Sequence, residues 1–425
     1  MEFITREEKI KICGEYDVIV AGGGVAGVAA ALAARRHGVE RVLIIEKTIN
    51  IGGLATTGLI NYFVPMCNGR GRQIIFGMAE EFLRESIRYG FDTIVGPWKN
   101  GGVPTEPTKY SYTTNYSPWL FSLRLTEMLK EEGVDIFLDT VISDTVVENG
   151  HVDGLILQSK SGREYYRAKY IIDATGDSEV FDRAGAPCEV GKNYFTYIGR
   201  NITLDSCRRA VDFKDIKYAY VNVCGGNANL YGKNHAEGRP YYAGVTKEDV
   251  TEYIVENEMV LLEKYKNDDR TSRDLAWIPF MPQFRTIRHI KGDYSLKMED
   301  QYKHFDDSVC VINDFDHKDR LFEVPFRTMI DSSFDNLIAV GRCASAQGFA
   351  WDVLRVIPPA ILTGQAAGTA CSECLKDNRA VKDVDIHEVQ RLLENDNVTV
   401  HFDDSLVPED TTKEELVDIY DYEHI

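Results

Sequence analysis

The amino-acid sequence predicts an α/β protein that combines a parallel sheet and a β-meander with an inserted α+β domain. An apolar run over residues 18–21 leads directly into three glycines and an alanine-rich segment, which is typical of a buried strand, a tight turn and a helix. Short strands are predicted over residues 135–138, 141–148, 152–158, 164–168 and 170–174, and the turn dipeptides Asn149-Gly150 and Ser161-Gly162 predict the two hairpins of the meander. Residues 195–326 mix strand-like runs with helical ones, among them a helix predicted over residues 247–266, and predict the insert.

The glycines stand at the G-x-G-x-x-G spacing that dinucleotide-binding proteins place between the first strand and the first helix. Gly22 permits the tight turn, Gly24 leaves room for a pyrophosphate, and Gly27 lets the helix pack closely on the sheet. The free N–H groups at the start of the helix would bind the diphosphate. Glu46 ends the second strand about 20 residues later and is the acid expected on the ribose hydroxyls. These features predict a Rossmann-like dinucleotide-binding unit.

Three later stretches indicate which dinucleotide is bound. They are Gly52-Gly53-Leu54-Ala55-Thr56, Asp173-Ala174-Thr175-Gly176-Asp177 and Ala339-Val340-Gly341-Arg342. In this order the chain resembles the FAD-dependent oxidoreductases, bacterial flavoproteins with a glutathione-reductase-type FAD domain. It resembles the fumarate reductase and succinate dehydrogenase flavoproteins more distantly.

The resemblance implies an FAD cofactor, and we expect it to be non-covalent because Cys67 is the first cysteine after the glycine pair and stands alone. Disulfide reductases of this superfamily place a cysteine pair directly after that glycine pair, so a flavin-coupled dithiol is excluded. The residues implied in FAD binding are Gly22, Gly24, Val25, Ala26, Gly27, Glu46, Lys47, Gly53, Leu54, Ala55, Thr56, Val141, Thr175, Gly176, Asp177, Gly341, Arg342, Ile357, Pro358 and Ala360.

Two segments carry candidate catalytic residues. Arg355 precedes a helix that we expect to begin near Pro359, and in the resembling flavoproteins this helix points its positive end at the N1/O2 edge of the isoalloxazine. Arg288 and His289 lie in a run over residues 280–294 that reads as an extended strand. An arginine there could bind a carboxylate or polarise a carbonyl, and a histidine could act as acid or base near neutral pH. The structural alternative for Arg355 is an ion pair with Asp352. The structural alternative for Arg288 and His289 is that the charged residues of their run attach the insert to the FAD domain.

Composition limits the partners and the compartment. The net charge of -19 argues against nucleic acid and against anionic membranes, and no apolar run approaches the ~20 residues that span a bilayer. Nine scattered cysteines and a charged start without a signal-peptide pattern predict a cytoplasmic protein. No metal site is predicted, because the Cys371–Cys374 pair lies in a helical run without a second cysteine pair. The expected partners are a small-molecule substrate and a separate electron acceptor or donor; a homo-oligomer stays open.

The predicted domains follow the motifs. Residues 1–194 form the first part of the FAD-binding domain, with an irregular excursion over residues 61–118, and residues 195–326 form the substrate domain. Residues 327–425 complete the FAD-binding domain with a terminal helix, capped by Asp385, and an acidic tail.

The predicted function is that of an FAD-dependent oxidoreductase that transfers hydride between a small organic substrate and flavin N5. Oxidation of an alcohol or amine and reduction of a C=C bond both remain open. The alternative is a non-catalytic flavin-binding protein whose insert is a docking surface. It predicts an apolar cover over the flavin without convergent polar groups.

Overall fold

A seven-stranded sheet organises the protein, whose computed structural model describes residues 4–64, 66–68, 72–99, 112–317 and 320–408. The predicted acidic tail and part of the predicted excursion lie outside the described residues. Five strands of the sheet are parallel, in the order β5-β2-β1-β8 with β16 also beside β8. They are β1 (Lys11–Ala21), β2 (Val42–Ile45), β5 (Asp135–Phe137), β8 (Gly162–Asp173) and β16 (Leu337–Ala339).

The central strands are buried on both faces, as their continuous apolar runs predict. Val18 and Val20 of β1 lie in the larger hydrophobic core, whereas Ile19 and Ala21 of the same strand lie in the core on the opposite face. This follows from the two-residue period of a strand. The prediction of an α/β fold with a buried parallel sheet is confirmed.

Helices α1 (Val25–Arg36) and α8 (Ile357–Asp377) pack against each other in the larger core. A Cβ atom built on Gly364 would lie 2.1 Å from the carbonyl oxygen of Ala26, and one built on Gly368 would lie 2.2 Å from that of Ala30. The two helices therefore approach to backbone contact, which only glycine allows at these positions.

The meander follows the predicted turns. Strands β6 (Val141–Glu148), β7 (His151–Ser159) and β8 are joined by two hairpins, at Asn149-Gly150 and just before Gly162, where the backbone takes positive φ. The sequence predicted two separate strands over residues 164–168 and 170–174, and this is wrong. Strand β8 is continuous: one edge pairs along its length with β1, and the other pairs first with β7 and then with β16.

The insert contains an antiparallel sheet in the order β11-β10-β12 and the long helix α6. Helix α6 has the predicted bounds, because Thr246 caps its first turn by accepting from the N–H of Asp249. The insert has its own small core, formed by Phe195, Tyr242, Tyr253, Phe284 and Ile287. Its elements are β10 (Thr196–Thr203), α5 (Leu204–Phe213), β11 (Val221–Asn227), α6 (Lys247–Lys266) and β12 (Arg273–Trp277).

The predicted C-terminal boundary of the insert, residue 326, does not coincide with the change from the core of the insert to the larger core. The hairpin of β14 (Ser308–Asn313) and β15 (Leu321–Pro325) packs in the larger core beside α8, not in the core of the insert. The run over residues 280–294 is not one strand either: only β13 (Arg288–Ile290) is extended, and it pairs with β9 (Cys188–Val190).

The remaining elements surround this framework. Helix α9 is capped as predicted, since Asp385 accepts from the N–H of Glu388. Among the described residues, no helix is both long and apolar enough to cross a membrane. These elements are β3 (Tyr62–Phe63), α2 (Gly77–Ile87), β4 (Thr114–Asn115), α3 (Pro118–Glu131), α4 (Glu179–Arg183), α7 (Phe349–Leu354) and α9 (Ile386–Asn395).

Candidate active site

A cavity of about 410 Å³ opens at the carboxyl ends of β1, β2 and β8. The carboxyl ends of parallel strands are where open α/β sheets bind ligands. Most of the residues implied in FAD binding line it, although they come from distant parts of the chain. These are Gly22, Gly24, Val25, Ala26, Glu46, Lys47, Gly53, Leu54, Ala55, Val141, Thr175, Gly176, Gly341, Arg342, Ile357 and Ala360.

The three motif glycines meet three different constraints. At Gly22 the backbone has φ of +109°, and a Cβ would lie 2.4 Å from the carbonyl oxygen of Ala174. At Gly27 a Cβ would lie 2.0 Å from the carbonyl oxygen of Gly22, so this glycine serves helix packing and does not line the cavity. At Gly24 a Cβ would meet nothing within 4 Å, so open space lies above this residue. That space adjoins the first turn of α1, whose N–H groups have no partner within the helix, and it suits a pyrophosphate.

The Glu46 carboxylate is held in place at the cavity wall. It is buried, and its Oε2 accepts from the N–H of Gly23 at 2.9 Å while its Oε1 accepts from the N–H of Thr48 at 2.8 Å. A carboxylate with two oxygens can accept further hydrogen bonds. Glu46 is thus oriented as an acceptor for hydroxyl groups in the cavity.

The first turn of α8 borders the cavity with Ile357 and Ala360. The helix begins at Ile357, two residues before the predicted Pro359, and Val356 is its N-cap. Pro358 and Pro359 carry no N–H, and the N–H of Ala360 donates to the carbonyl of Val356 at 3.0 Å. The first turn can therefore offer a ligand the N–H of Ile357 and the positive end of the helix dipole, but no row of donors.

Asp173 fixes the Thr175 turn. It is fully buried and accepts from the Thr175 hydroxyl at 2.6 Å and from the Val180 N–H at 2.9 Å. Burial raises the pKa of this carboxyl, and the hydrogen bonds oppose that shift.

Three other residues implied in FAD binding lie beside the cavity, outside its lining. The Thr56 hydroxyl donates to the carbonyl of Ile51 at 2.8 Å, so it braces the glycine pair. Asp177 directs a carboxylate oxygen at Lys47, 3.9 Å away, and Pro358 is buried in α8. Their geometry is that of residues that hold the wall in place.

Arg355 lines the cavity and also forms an ion pair with Asp352. The position predicted for a functional residue and the predicted structural ion pair are therefore both observed for Arg355. Its Nε donates to Oδ1 of Asp352 at 2.8 Å, and its Nη2 donates to the same oxygen. Arg342 lies in the same wall, and burial lowers its pKa. The wall at this end of the cavity is therefore rich in guanidinium groups.

Arg288 and His289 do not line the cavity, and a catalytic role for either stays a prediction. Arg288 donates from Nε to the carbonyl of Asp177 at 2.8 Å and pairs with Asp182 at 2.6 Å. His289 is buried, its Nδ1 lies 2.6 Å from the carbonyl oxygen of Ile290, and burial lowers its pKa. Each side chain is thus already engaged with protein groups.

A second cavity of about 260 Å³ lies beside the first. Asp352 lines the second cavity and its partner Arg355 lines the first, so this ion pair forms a shared wall. Arg285 also lines the second cavity. The sequence predicts Arg285 on the same extended run as Arg288 and His289, where an arginine could bind a carboxylate, and no local pattern shows that the chain is irregular there.

Several other lining residues are not among the residues implied in FAD binding. Most of them lie within a motif stretch or next to a motif residue, where their own side chains carry no separate signal. Met281 is different, because the fold brings it to the cavity from the insert. They are Ile45, Gly52, Thr140, Ile142, Ser143, Ala174, Glu179, Arg183, Met281 and Val340.

One cluster away from both cavities brings together potential metal ligands, His304, Glu323 and His401, within 4.8 Å of one another. Nδ1 of His304 lies 2.7 Å and Nδ1 of His401 lies 3.0 Å from a Glu323 oxygen. The buried carboxylate also accepts from the N–H of Phe305. The cluster is thus a hydrogen-bonded link between β15 and the segments around residues 304 and 401.

The sequence model of one protein family, described as FAD dependent oxidoreductase, matches residues 17–252 and 237–393. The chain belongs to this family. The cofactor is therefore FAD, and the protein is an FAD-dependent oxidoreductase. The open space above Gly24 and the ordered Glu46 carboxylate fit the diphosphate and ribose of that cofactor.

The tRNA uridine 5-carboxymethylaminomethyl modification enzyme MnmG of Bacillus subtilis is 29% identical over 174 residues, which cover 38% of this chain and 24% of that protein. The oxidoreductase thus matches only about a quarter of that relative's length.

Solved structures with a similar fold include two whose matches cover most of this chain. A geranylgeranyl bacteriochlorophyll reductase-like protein from Thermoplasma acidophilum is 15% identical, covers 92% of this chain and 94% of its own, and has a TM-score of 0.44. The p-nitrophenol 4-monooxygenase PnpA from Pseudomonas putida is 15% identical, covers 92% and 91%, and has a TM-score of 0.44.

Proposed function

We propose that this FAD-dependent oxidoreductase transfers a hydride between a small organic substrate in the second cavity and non-covalently held FAD in the first. The observation that carries the proposal is the shared wall, in which the Asp352–Arg355 ion pair separates two cavities of about 410 and 260 Å³. A redox cofactor and its substrate must be held side by side, and this wall gives them adjoining sites.

FAD supplies the hydride chemistry, and the chain supplies position and electrostatics. The open space above Gly24 and the first turn of α1 would hold the diphosphate, and Glu46 would hold the ribose. Arg342 and Arg355 would give the far end of the cavity a positive potential, which favours negative charge that develops during transfer. Asp352 would keep Arg355 in one orientation.

Two other readings receive less support. A docking protein predicts an apolar cover over the flavin, whereas Arg342, Arg355 and Asp352 converge on the two cavities. The tRNA modification in the name of the Bacillus subtilis relative is not proposed here, because a net charge of -19 disfavours a polyanionic substrate.

The test is anaerobic reduction of the purified protein by substrate panels, followed through the visible flavin spectrum. We expect an alcohol, amine or saturated acid to bleach the oxidised flavin, or an unsaturated compound to reoxidise flavin that has been photoreduced. Heat denaturation should release the FAD into the supernatant. A protein whose flavin responds to no member of either panel would contradict hydride transfer, and flavin that stays with the precipitate would contradict non-covalent attachment.

A further inference from the structure

We propose that the second cavity selects substrates that carry a carboxylate, and that Arg285 is the residue that binds it. The inference rests on the proposed function, because it takes this cavity as the substrate site. It names both a substrate class and a specificity-determining residue. The argument begins with the hydrogen bonds of Arg285.

Arg285 has almost no partner for its charge. Its Nη1 donates to the backbone carbonyl of Asn229 at 3.3 Å, and among the described residues no carboxylate oxygen lies within 4.0 Å of its guanidinium. Asp352, the one carboxylate in the described lining of the cavity, is already paired with Arg355. Arg285 can therefore still donate to a ligand.

Arg285 is half-buried, and a cation held partly away from water without an anion is costly. Arg288, three residues on, pairs with Asp182 at 2.6 Å. Burial lowers the pKa of Arg285, and the neighbouring Arg355 lowers it further. Asp352 raises this pKa, but its carboxylate is already paired with Arg355, so an incoming carboxylate would add the negative charge that Arg285 lacks as a direct partner.

The backbone of Arg285 is held in place before any ligand arrives. The side-chain oxygen of buried Asn193 accepts from the N–H of Arg285 at 2.8 Å and from the N–H of Thr286 at 2.9 Å. The amide nitrogen of Asn193 donates to the carbonyl of Tyr242 at 3.1 Å. This pre-organisation reduces the entropy that ligand binding must offset.

The rest of the wall determines the shape of the acid. Trp351, Tyr194 and Leu230 give it aromatic and aliphatic surface, and Lys192 adds a second, exposed cation at the rim. A guanidinium can bind a carboxylate through two parallel hydrogen bonds. The chemistry therefore fits a small organic acid with an apolar body.

The test measures binding to the FAD-loaded protein by isothermal titration calorimetry, without turnover. The probes are benzoate, phenylacetate and hexanoate, each compared with its neutral amide. We expect at least one acid to bind about 10- to 100-fold more tightly than its amide, as loss of a charged hydrogen-bond partner predicts. The Arg285→Gln variant should lose this preference, while Arg285→Lys should keep it at weaker affinity because an ammonium cannot form the bidentate pair.

The matched control is Arg288→Gln, which removes an arginine of the same segment whose charge is already paired; it should keep the preference of the wild type. The proposal is wrong if every acid binds no better than its amide, or if Arg285→Gln keeps the preference. If Arg285→Gln fails to hold FAD, an Arg285→Lys variant with undiminished affinity for the acid overturns the proposal and a weakened one supports it. Because no turnover is measured, a failure of hydride transfer in the substrate panels would be seen separately.

Discussion

At the scale of single residues, the cofactor cavity depends on where a side chain is absent. Gly22 has positive φ, and a Cβ atom there would collide with the Ala174 carbonyl oxygen. Gly24 has φ of -66°, and a Cβ atom there would enter open space. The same residue type therefore serves the fold at one position and the ligand at the other.

This difference leads to a prediction for Gly24→Ala. An alanine fits the backbone at residue 24, so the melting temperature of the apoprotein should stay within about 2 °C of the wild type. Its methyl group would occupy the space above the first turn of α1, so the Kd for FAD should rise at least about 10-fold. Thermal unfolding of the apoprotein and FAD titration measure the two effects.

Gly22→Ala is the matched comparison. It places a Cβ 2.4 Å from a backbone oxygen in a backbone conformation that itself costs ~1–3 kcal/mol for alanine, so the apoprotein should be destabilised. An apoprotein of Gly24→Ala that unfolds as early as Gly22→Ala would show that the open space is needed for folding and would contradict the assignment to the ligand.

At the scale of elements, the contact between α1 and α8 brings the two halves of the FAD site together. Gly→Ala in an exposed helix stabilises a protein by roughly 1 kcal/mol. At Gly368 the new Cβ would lie 2.2 Å from the Ala30 carbonyl oxygen, so the helices must separate. We expect Gly368→Ala to lower the free energy of unfolding by about 1–3 kcal/mol, measured by urea denaturation.

Asp377→Ala, at the exposed end of the same helix, is the control for this prediction. Asp377 has a surface ion pair with Arg379, and such pairs contribute little, so its change should stay within ~0.5 kcal/mol. A Gly368→Ala protein that is more stable than the wild type would show that α1 and α8 can part without loss.

Elements were predictable from sequence where local signals act alone. Helix α6 has its predicted bounds because a threonine cap and a regular pattern define it. The join of two predicted strands into β8 was not predictable, because continuity there depends on β1 pairing along its whole length. The hairpin of β14 and β15 was assigned to the insert because its apolar run does not reveal which core receives it.

The same limit applies to the site. Motif glycines and Glu46 could be placed because their spacing is tied to one strand and one helix. The sequence does not distinguish Arg285, which lines the second cavity, from Arg288, which does not. The difference depends on where β13 begins and on the ion pair between Arg288 and Asp182. Side chains that reach a cavity from irregular backbone leave no periodic signal.

At the scale of the whole molecule, the cavity is lined by residues from 22 to 360, so FAD should hold distant segments together. Removal of FAD should lower the melting temperature, and FAD at about 100 times its Kd should raise the free energy of unfolding of the apoprotein by about 2.7 kcal/mol. FMN should not give this increase, because Glu46 and Val141 belong to the part of the cavity expected to hold the adenosine half of FAD. Differential scanning calorimetry of the apoprotein with each flavin measures this; equal rescue by FMN would contradict a dinucleotide site.

The contact between α1 and α8 also has a consequence for translation. Helix α1 carries a surface of buried alanines and valines, and its partner helix is synthesised only after the whole insert. During that interval the side of α1 that packs on α8 stays uncovered, and exposed apolar surfaces of this kind are what chaperones bind. The FAD cavity is complete only once α8 has been made, because Ile357 and Ala360 of this helix line it.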